Sequence, residues 1–272
     1  MGDCQTGEVD GPRRVDLNAD LGEAYGVWDL GRDEELLAVV TTAHVACGFH
    51  AGDPAVMRRT VAAAGAAGVV VGAHPSYPDM VGFGRRDMEV PPSRVADDVL
   101  YQVGALDGLA RACGTRVGSV KLHGALYRRA AVDEACALAV AEAVAAYDER
   151  LVLVTLAGSP TLDAVRATGV PVVAEGFCDR GYYPDGRLAD RGDDGWVVID
   201  PEQAAERACS MVLDHLVAAV DGSELWVEVD TLCVHSDTPG SAAIARWVRD
   251  ALEAAGVTVA SYGWPDGRSP AA

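Results

Sequence analysis

The chain has no uninterrupted apolar run approaching the ~18–20 residues of a membrane span; its longest are cut by Gly, Asp or Arg well short of that. It is poor in basic residues, with 22 Lys and Arg against 41 Asp and Glu, a formal charge of −19. A field of that sign repels phosphate backbones and argues against nucleic-acid binding through a general basic face. It does not forbid an anionic small molecule, because an Arg or Lys dominates locally inside a cleft. No GxGxxG follows the first expected strand and no GxxxxGK[ST] occurs anywhere, so the nucleotide-binding open sheets lack support. The polar start MGDCQTGEVDGPRR carries no apolar signal region. The seven cysteines are scattered without a CxxC pair, which reads as reduced thiols in a cytoplasmic protein. No linker or low-complexity tract divides the chain.

What is present is a regular alternation. Half of the 272 residues are hydrophobic, enough to bury a sizeable core. Short β-branched runs predict strands at Arg14–Ala19, Thr42–Cys47, Gly68–His74, Val117–His123, Leu151–Leu156, Val170–Glu175 and Asp230–His235. Ala-rich runs predict helices at Asp33–Val40, Pro54–Ala67, Pro92–Cys113, Asp133–Tyr147, Ser159–Thr168, Pro201–Val220 and Gly240–Ala255. Pro54, Pro92 and Pro201 suit first helical turns, and Gly68, Gly114 and Gly169 suit helix ends. Seven strand–helix units imply an α/β fold with parallel strands, as an open sheet or a barrel. The expected organisation is one barrel domain over residues 14–265, between mobile ends at 1–13 and 266–272.

Position is the informative feature. Polar residues gather at the C-terminal ends of the predicted strands: Asp16, Asn18, Asp20 and Glu23; His44, Cys47, His50 and Asp53; His74; Lys121 and His123; Glu175, Asp179 and Arg180; His235 and Asp237. Five of the six histidines are among them, where parallel α/β folds place their active sites. This favours the barrel, which gathers all strand ends in one ring. Asp16, Asn18 and Asp20 are spaced by two and share one strand face. Lys121 and His123 share another, where a buried lysine needs an acid or an anion. Its role is either to hold a substrate carboxylate or oxyanion, or to form a structural ion pair with Asp16 or Glu175. His50 and His74 lie among Gly and Pro; with Asp16 or Asp20 they suit a divalent metal, and without metal they suit acid–base or hydrogen-bonding work. Arg85 and Arg86 follow a Gly-rich loop and suit either an anion clamp or surface ion pairs. Asp237 either orients His235 or caps the last helix. Tyr127 is the tyrosine best placed for a pocket wall. Cys47 reads as a small buried residue rather than a nucleophile.

The segments VDLNADLGEAYG, HVACGFHAGDPAVM, GAHPSYPDMVGFGRR, YQVGAL, VKLHGALY, EGFCDRGYYPDGRLADR and LCVHSDTPG together resemble the LamB/YcsF family, from about Val15 to Tyr262. The resemblance implies a distorted seven-stranded (β/α) barrel of the glycoside hydrolase/deacetylase type. It also implies ATP-dependent opening of the lactam 5-oxo-L-proline to L-glutamate, with two partner subunits, B and C; self-association is left open. ATP follows from the resemblance alone. The chain departs from the family pattern at Ala19, His44, Leu122, Cys178 and Ser236, which bears on the particular substrate. On this reading Asp16 or Asp20 is the general base, aided by His50 or His74. Lys121 and His123 hold the carbonyl oxygen or the carboxylate, and His235 with Asp237 protonates the leaving nitrogen. Asn18, His44, Arg85, Arg86, Tyr127, Glu175, Asp179 and Arg180 are the expected substrate contacts. Asp20, His50 and His74 are the expected ligands of a Zn or Mg ion. The alternatives are a metal-dependent amidase or deacetylase acting on another cyclic amide, and a non-catalytic binding subunit.

Overall fold

The computed structural model describes residues 13–28 and 32–262. The expected mobile ends lie outside the described residues except for Arg13, whose guanidinium donates to the Val212 carbonyl at 2.9 Å. The strands are β1 (Arg14–Leu21), β2 (Thr42–Ala46), β3 (Val70–His74), β4 (Val117–Lys121), β5 (Val152–Leu156), β6 (Val172–Phe177), β7 (Leu216–Ala218), β8 (Glu224–Trp226), β9 (Thr231–His235) and β10 (Thr258–Val259). The helices are α1 (Asp33–Leu37), α2 (Pro54–Ala67), α3 (Pro92–Ala112), α4 (Gly124–Ala130), α5 (Glu134–Tyr147), α6 (Leu162–Ala167), α7 (Pro201–Leu213) and α8 (Ser241–Ala254). Strands β1 to β6 pair in parallel in chain order, β9 follows β6, and β9 pairs back onto β1. The result is a closed seven-stranded parallel barrel. Strand β10 lengthens the sheet at the start of β1, pairing Arg14 with Thr258.

The two-residue period of each strand sorts the side chains. Val15, Leu17, Ala19 and Leu21 of β1 join Ala43, Val45, Val71, Ala73, Val120, Leu232 and Val234 in the apolar layer under the helices. The alternate set, Asp16, Asn18, Asp20, His44, Ser119, Lys121, Glu175 and Thr231, is buried inside the barrel. Such an interior is stable only if every polar group finds a partner. Gly72 is part of that solution: a Cβ there would lie 2.3 Å from His44 Cδ2 and 2.5 Å from Ser119 Oγ.

The main departures from the expected elements lie near His123, after Leu213 and at the end of the described chain. The strand expected to reach His123 ends at Lys121, and His123 takes the N-cap position of α4, which carries no side-chain cap to betray it in the sequence. The helix expected to reach Val220 stops at Leu213; His215, at φ 59°, then turns the chain into the antiparallel β7–β8 hairpin. Strand β10 is too short for periodicity to reveal.

Asp16 lies at the floor of the barrel, four residues and roughly 13 Å of strand from Asp20. Its carboxylate accepts from the hydroxyls of Thr41 and Thr42 at 2.7 and 2.6 Å, and from Thr231 at 2.5 Å. Burial nevertheless pushes its pKa up to about 6. A carboxyl whose folded pKa is raised contributes stability at low pH and loses it as pH climbs through that value. The wild type should therefore lose up to about 3 kcal/mol between roughly pH 4 and 6 that Asp16→Asn does not lose. Denaturant unfolding across that range checks this; parallel profiles for the two proteins would refute it.

Candidate active site

Lys121, at the end of β4, is the only lysine in the chain, and it is buried. Its ammonium lies 2.9 Å from Asp20 Oδ1 and 2.8 Å from Glu175 Oε1, and donates to Asn18 Oδ1 at 3.1 Å and Cys233 Sγ at 3.0 Å. Burial opposes the charge, but the surrounding acids win and hold the lysine protonated, well above its ordinary pKa. Asp20 shows the converse. Burial opposes its charge, but the adjacent Lys121 ammonium holds it ionised, below the usual carboxylate range. With its N–H groups committed to protein acceptors, Lys121 acts on Asp20 and Glu175 rather than as a free donor to a substrate.

Three histidines stand beside Asp20. His74 Nδ1 donates to the Lys121 carbonyl at 2.8 Å, and His123 Nε2 to the Phe83 carbonyl at 2.9 Å. His50 Nδ1 lies 2.9 Å from Ser76 Oγ, whose own proton goes to the Tyr77 carbonyl. Carbonyl oxygens only accept, so each outer nitrogen carries a proton and each neutral ring aims a lone pair inward. Burial favours the neutral forms of His50 and His123 by pushing their pKa values down. His74 Nε2 and His123 Nδ1 face each other at 2.9 Å. Glu23 Oε1 lies 3.4 Å from both His50 Nε2 and His123 Nδ1, and Asp20 Oδ2 lies 3.3 Å from His74 Nε2. Glu23 Oε1 and His50 Nε2 are buried without a hydrogen-bond partner. The donor atoms of Glu23, His50, His74 and His123 all lie within 4.8 Å of one another.

This convergence of acceptors, each imidazole steered by an outer hydrogen bond, suits a divalent cation. Asp20, Cys233 and His235 form a second cluster of donor atoms, but the Lys121 ammonium already supplies its positive charge. The cluster that could hold such an ion overlaps the expected ligands at His50 and His74. Glu23 and His123 join His50 and His74, while Asp20 sits beside them, engaged with Lys121.

Loops build this cluster. Gly52 N–H donates to the Ala24 carbonyl at 2.9 Å, tying the His50 loop to the Glu23 loop. Ser236 Oγ donates to Glu23 Oε2 at 3.3 Å, leaving Oε1 for the histidines. Phe83 holds φ at 54°, a costly conformation for a bulky residue, and its carbonyl fixes His123. The next residue, Gly84, packs so closely that a Cβ would meet His123 Cδ2 at 2.8 Å.

His235 faces the cluster from the other side. Asp179 accepts from His235 Nδ1 at 3.0 Å, from the His235 backbone N–H at 2.9 Å and from Thr238 Oγ1 at 2.7 Å. This leaves His235 Nε2 aimed inward, 3.9 Å from Asp20 Oδ2. Phe177 stacks on the imidazole at a centroid distance of 5.4 Å. The orienting acid is thus Asp179 and not Asp237, which instead pairs with Arg85 and Arg191 at the rim.

The structure brings Asp20, Lys121, His123, His235, Arg85, Tyr127 and Arg180 around one cavity, with His74, Phe177 and Arg191. Tyr127 donates its hydroxyl to Glu175 Oε2 at 2.8 Å, which fixes a wall of that cavity. Several expected site residues stand elsewhere because their polar groups are already spent. Asp16 is at the floor. Asn18 and His44 lie in the barrel shaft, with His44 Nδ1 3.2 Å from Asn18 Oδ1 and its Nε2 3.3 Å from Ser119 Oγ. Arg86 turns outward to Asp79. Cys47, expected as a small buried residue and not as a site residue, is buried, with its thiol pushed up to about 12, and donates to the Val45 carbonyl. Asp53 caps α2. A wider groove of about 940 Å³ adjoins the cavity across Tyr127 and Leu188, but its lining is largely apolar. Sequence reasoning placed Glu23 among the strand-end residues without assigning it a ligand role. It missed Arg191, which lies in a long loop with no local periodicity.

Comparison with known proteins gives a consistent result. A model of the LamB/YcsF family matches residues 15–264. The chain is 50% identical over 248 residues to 5-oxoprolinase A subunit 1 of Agrobacterium fabrum, covering 91% of this chain and 97% of that one. It is 51% identical over 256 residues to the 5-oxoprolinase A subunit of Methylococcus capsulatus, covering 94% and 98%. Among solved structures, a lactam utilization protein from Thermus thermophilus superposes with a TM-score of 0.85 at 48% identity, covering 92% of this chain and all of that one. A putative cellobiose-phosphate cleavage protein from Enterococcus faecalis, with a TM-score of 0.54 at 12% identity over 93% of this chain and 98% of that one, shares the fold alone.

Proposed function

Because the chain belongs to the LamB/YcsF family, we propose that it opens the lactam of 5-oxo-L-proline to L-glutamate as one component of a larger cytoplasmic 5-oxoprolinase. The observation that carries this reading is the set of inward lone pairs on His50, His74 and His123 beside Glu23, next to an ionised Asp20 and the Asp179–His235 pair. A five-membered lactam is a stable amide. Its hydrolysis needs an activated water, stabilisation of the developing oxyanion and a proton for the departing nitrogen.

A divalent cation held by Glu23, His50, His74 and His123 would supply Lewis-acid activation of water and carbonyl. The chain's own residues supply the rest. Asp20 is kept ionised and accepts a proton or hydrogen bond from the attacking water. A carboxylate so well stabilised is a weak base, which matches it to an acidified water rather than a bulk one. Asp179 accepts from His235 Nδ1, so Nε2 is the nitrogen that takes up the proton Asp20 has received from the water and passes it to the ring nitrogen as the C–N bond breaks. Phe177, against His235, keeps bulk water from that path.

We assign ATP to two partner subunits, B and C, because this chain carries neither nucleotide-binding glycine motif named above. A second reading, a metal-dependent amidase working alone, is favoured by the histidine cluster itself. One assay separates them: glutamate release from 5-oxo-L-proline, with and without ATP and the partner subunits. The proposal expects release only when both are present. Release by the chain alone supports the second reading, and no release under any condition overturns both.

A further inference from the structure

Inside a molecule of charge −19, the rim of the active cavity is cationic. Arg85, Arg128, Arg180 and Arg191 all line it. Arg85 and Arg191 both reach Asp237, Arg191 at 3.3 Å. Their side chains are 26% and 30% exposed, so they are partly desolvated yet open to the cavity. Arg85 lies over the Phe83 ring at 4.7 Å, while Arg180 and Arg191 lie over Trp196 at 5.3 and 5.0 Å. Stacking fixes the guanidinium planes and leaves their N–H edges for an acceptor. Arg180 spends its edge on the carbonyls of Trp196 and Ala189. Arg85 and Arg191 share the single carboxylate of Asp237, so this pair retains net positive charge and unused donors. Asp179, the nearby acid, is committed to His235 and Thr238.

We propose that Arg85 and Arg191, held in place by Asp237, bind the carboxylate of the substrate and thereby select a carboxylated lactam over a neutral one. This rests on the lactamase reading above and adds to it the element that sets specificity. A fork of two planar guanidinium groups fits a carboxylate in a way a single lysine does not. The same cavity is lined by Asp20, His74 and His235, so a carboxylate anchored at the rim leaves the ring amide to reach toward the reacting groups.

The test titrates the purified chain, and its Arg85→Ala, Arg191→Ala and Arg191→Lys variants, with 5-oxo-L-proline and with 2-pyrrolidinone, which lacks the carboxylate. Glutamate release is measured in parallel with ATP and partner subunits. The wild type should prefer 5-oxo-L-proline at least tenfold. Each alanine variant should erase that preference while binding 2-pyrrolidinone as before, with Arg191→Lys recovering part of it. In turnover, KM should rise at least tenfold and more than kcat falls. A wild type without the preference, or alanine variants that keep it, would overturn the inference. Preferential binding without glutamate release would leave the carboxylate site standing and remove the lactamase reading.

Discussion

Lys121→Met is expected to lower turnover by at least about a thousandfold and to cost about 3–5 kcal/mol of folding stability. The two effects share one origin. The Lys121 ammonium is buried between Asp20 and Glu175, at 2.9 and 2.8 Å. Methionine fills similar volume, so packing is largely kept and the charge alone is removed. Two buried carboxylates are then left without their cation, which is the situation in which breaking a buried pair costs most. The cheapest escape is for an acid to take up a proton. A protonated Asp20 no longer accepts from an attacking water, so stability regained in this way is activity lost. Denaturant unfolding and steady-state assay together check the prediction. A variant with wild-type turnover would remove Lys121 and its control of Asp20 from the account.

The second large effect concerns the histidine cluster. His123→Ala and Glu23→Gln should each lower turnover by about a thousandfold or more, with smaller losses of stability than Lys121→Met. Glu23→Gln is the sharper of the two. It keeps shape and burial, but it replaces a charge aimed at two imidazoles by an amide. If the cluster were only a hydrogen-bonded core, the amide would satisfy the unpartnered lone pair of His50 and the variant would be as stable and as active as the wild type. Titrating each purified variant with Zn²⁺ separates the cases: weakened binding accompanies lost turnover if these residues hold a cation.

Much of this arrangement was legible in the sequence for a simple reason. In a parallel barrel, the strand direction alone decides which end of each apolar run faces the mouth, so Asp20, His74, Lys121 and His235 were placed by strand ends that periodicity finds. The seven barrel strands were legible on the same grounds, because they are short apolar runs separated by helices. Period-two reasoning also put Asp16 on the face it shares with Asp20, but face is not depth, and Asp16 proved to be at the floor. What could not be read is what depends on loops. Asp179 rather than Asp237 orients His235 because the long excursion after β6 brings β9 back beside it, with Phe177 opposite Cys233, which sets Asp179 alongside His235. Arg191 reaches Asp237 across 46 positions of sequence. Glu23 became a ligand candidate only when Gly52 and Ser236 fixed its loop. One usable signal was overlooked: a chain with a single lysine that spends it at the end of a strand is placing it for its charge.

The most direct test is elemental analysis of the purified chain beside a His50→Ala/His123→Ala double variant. The account predicts close to one equivalent of a divalent transition metal per wild-type chain, and none in the double variant. A wild-type chain that supports full glutamate release while carrying no such metal, or a double variant that keeps its equivalent, would contradict it.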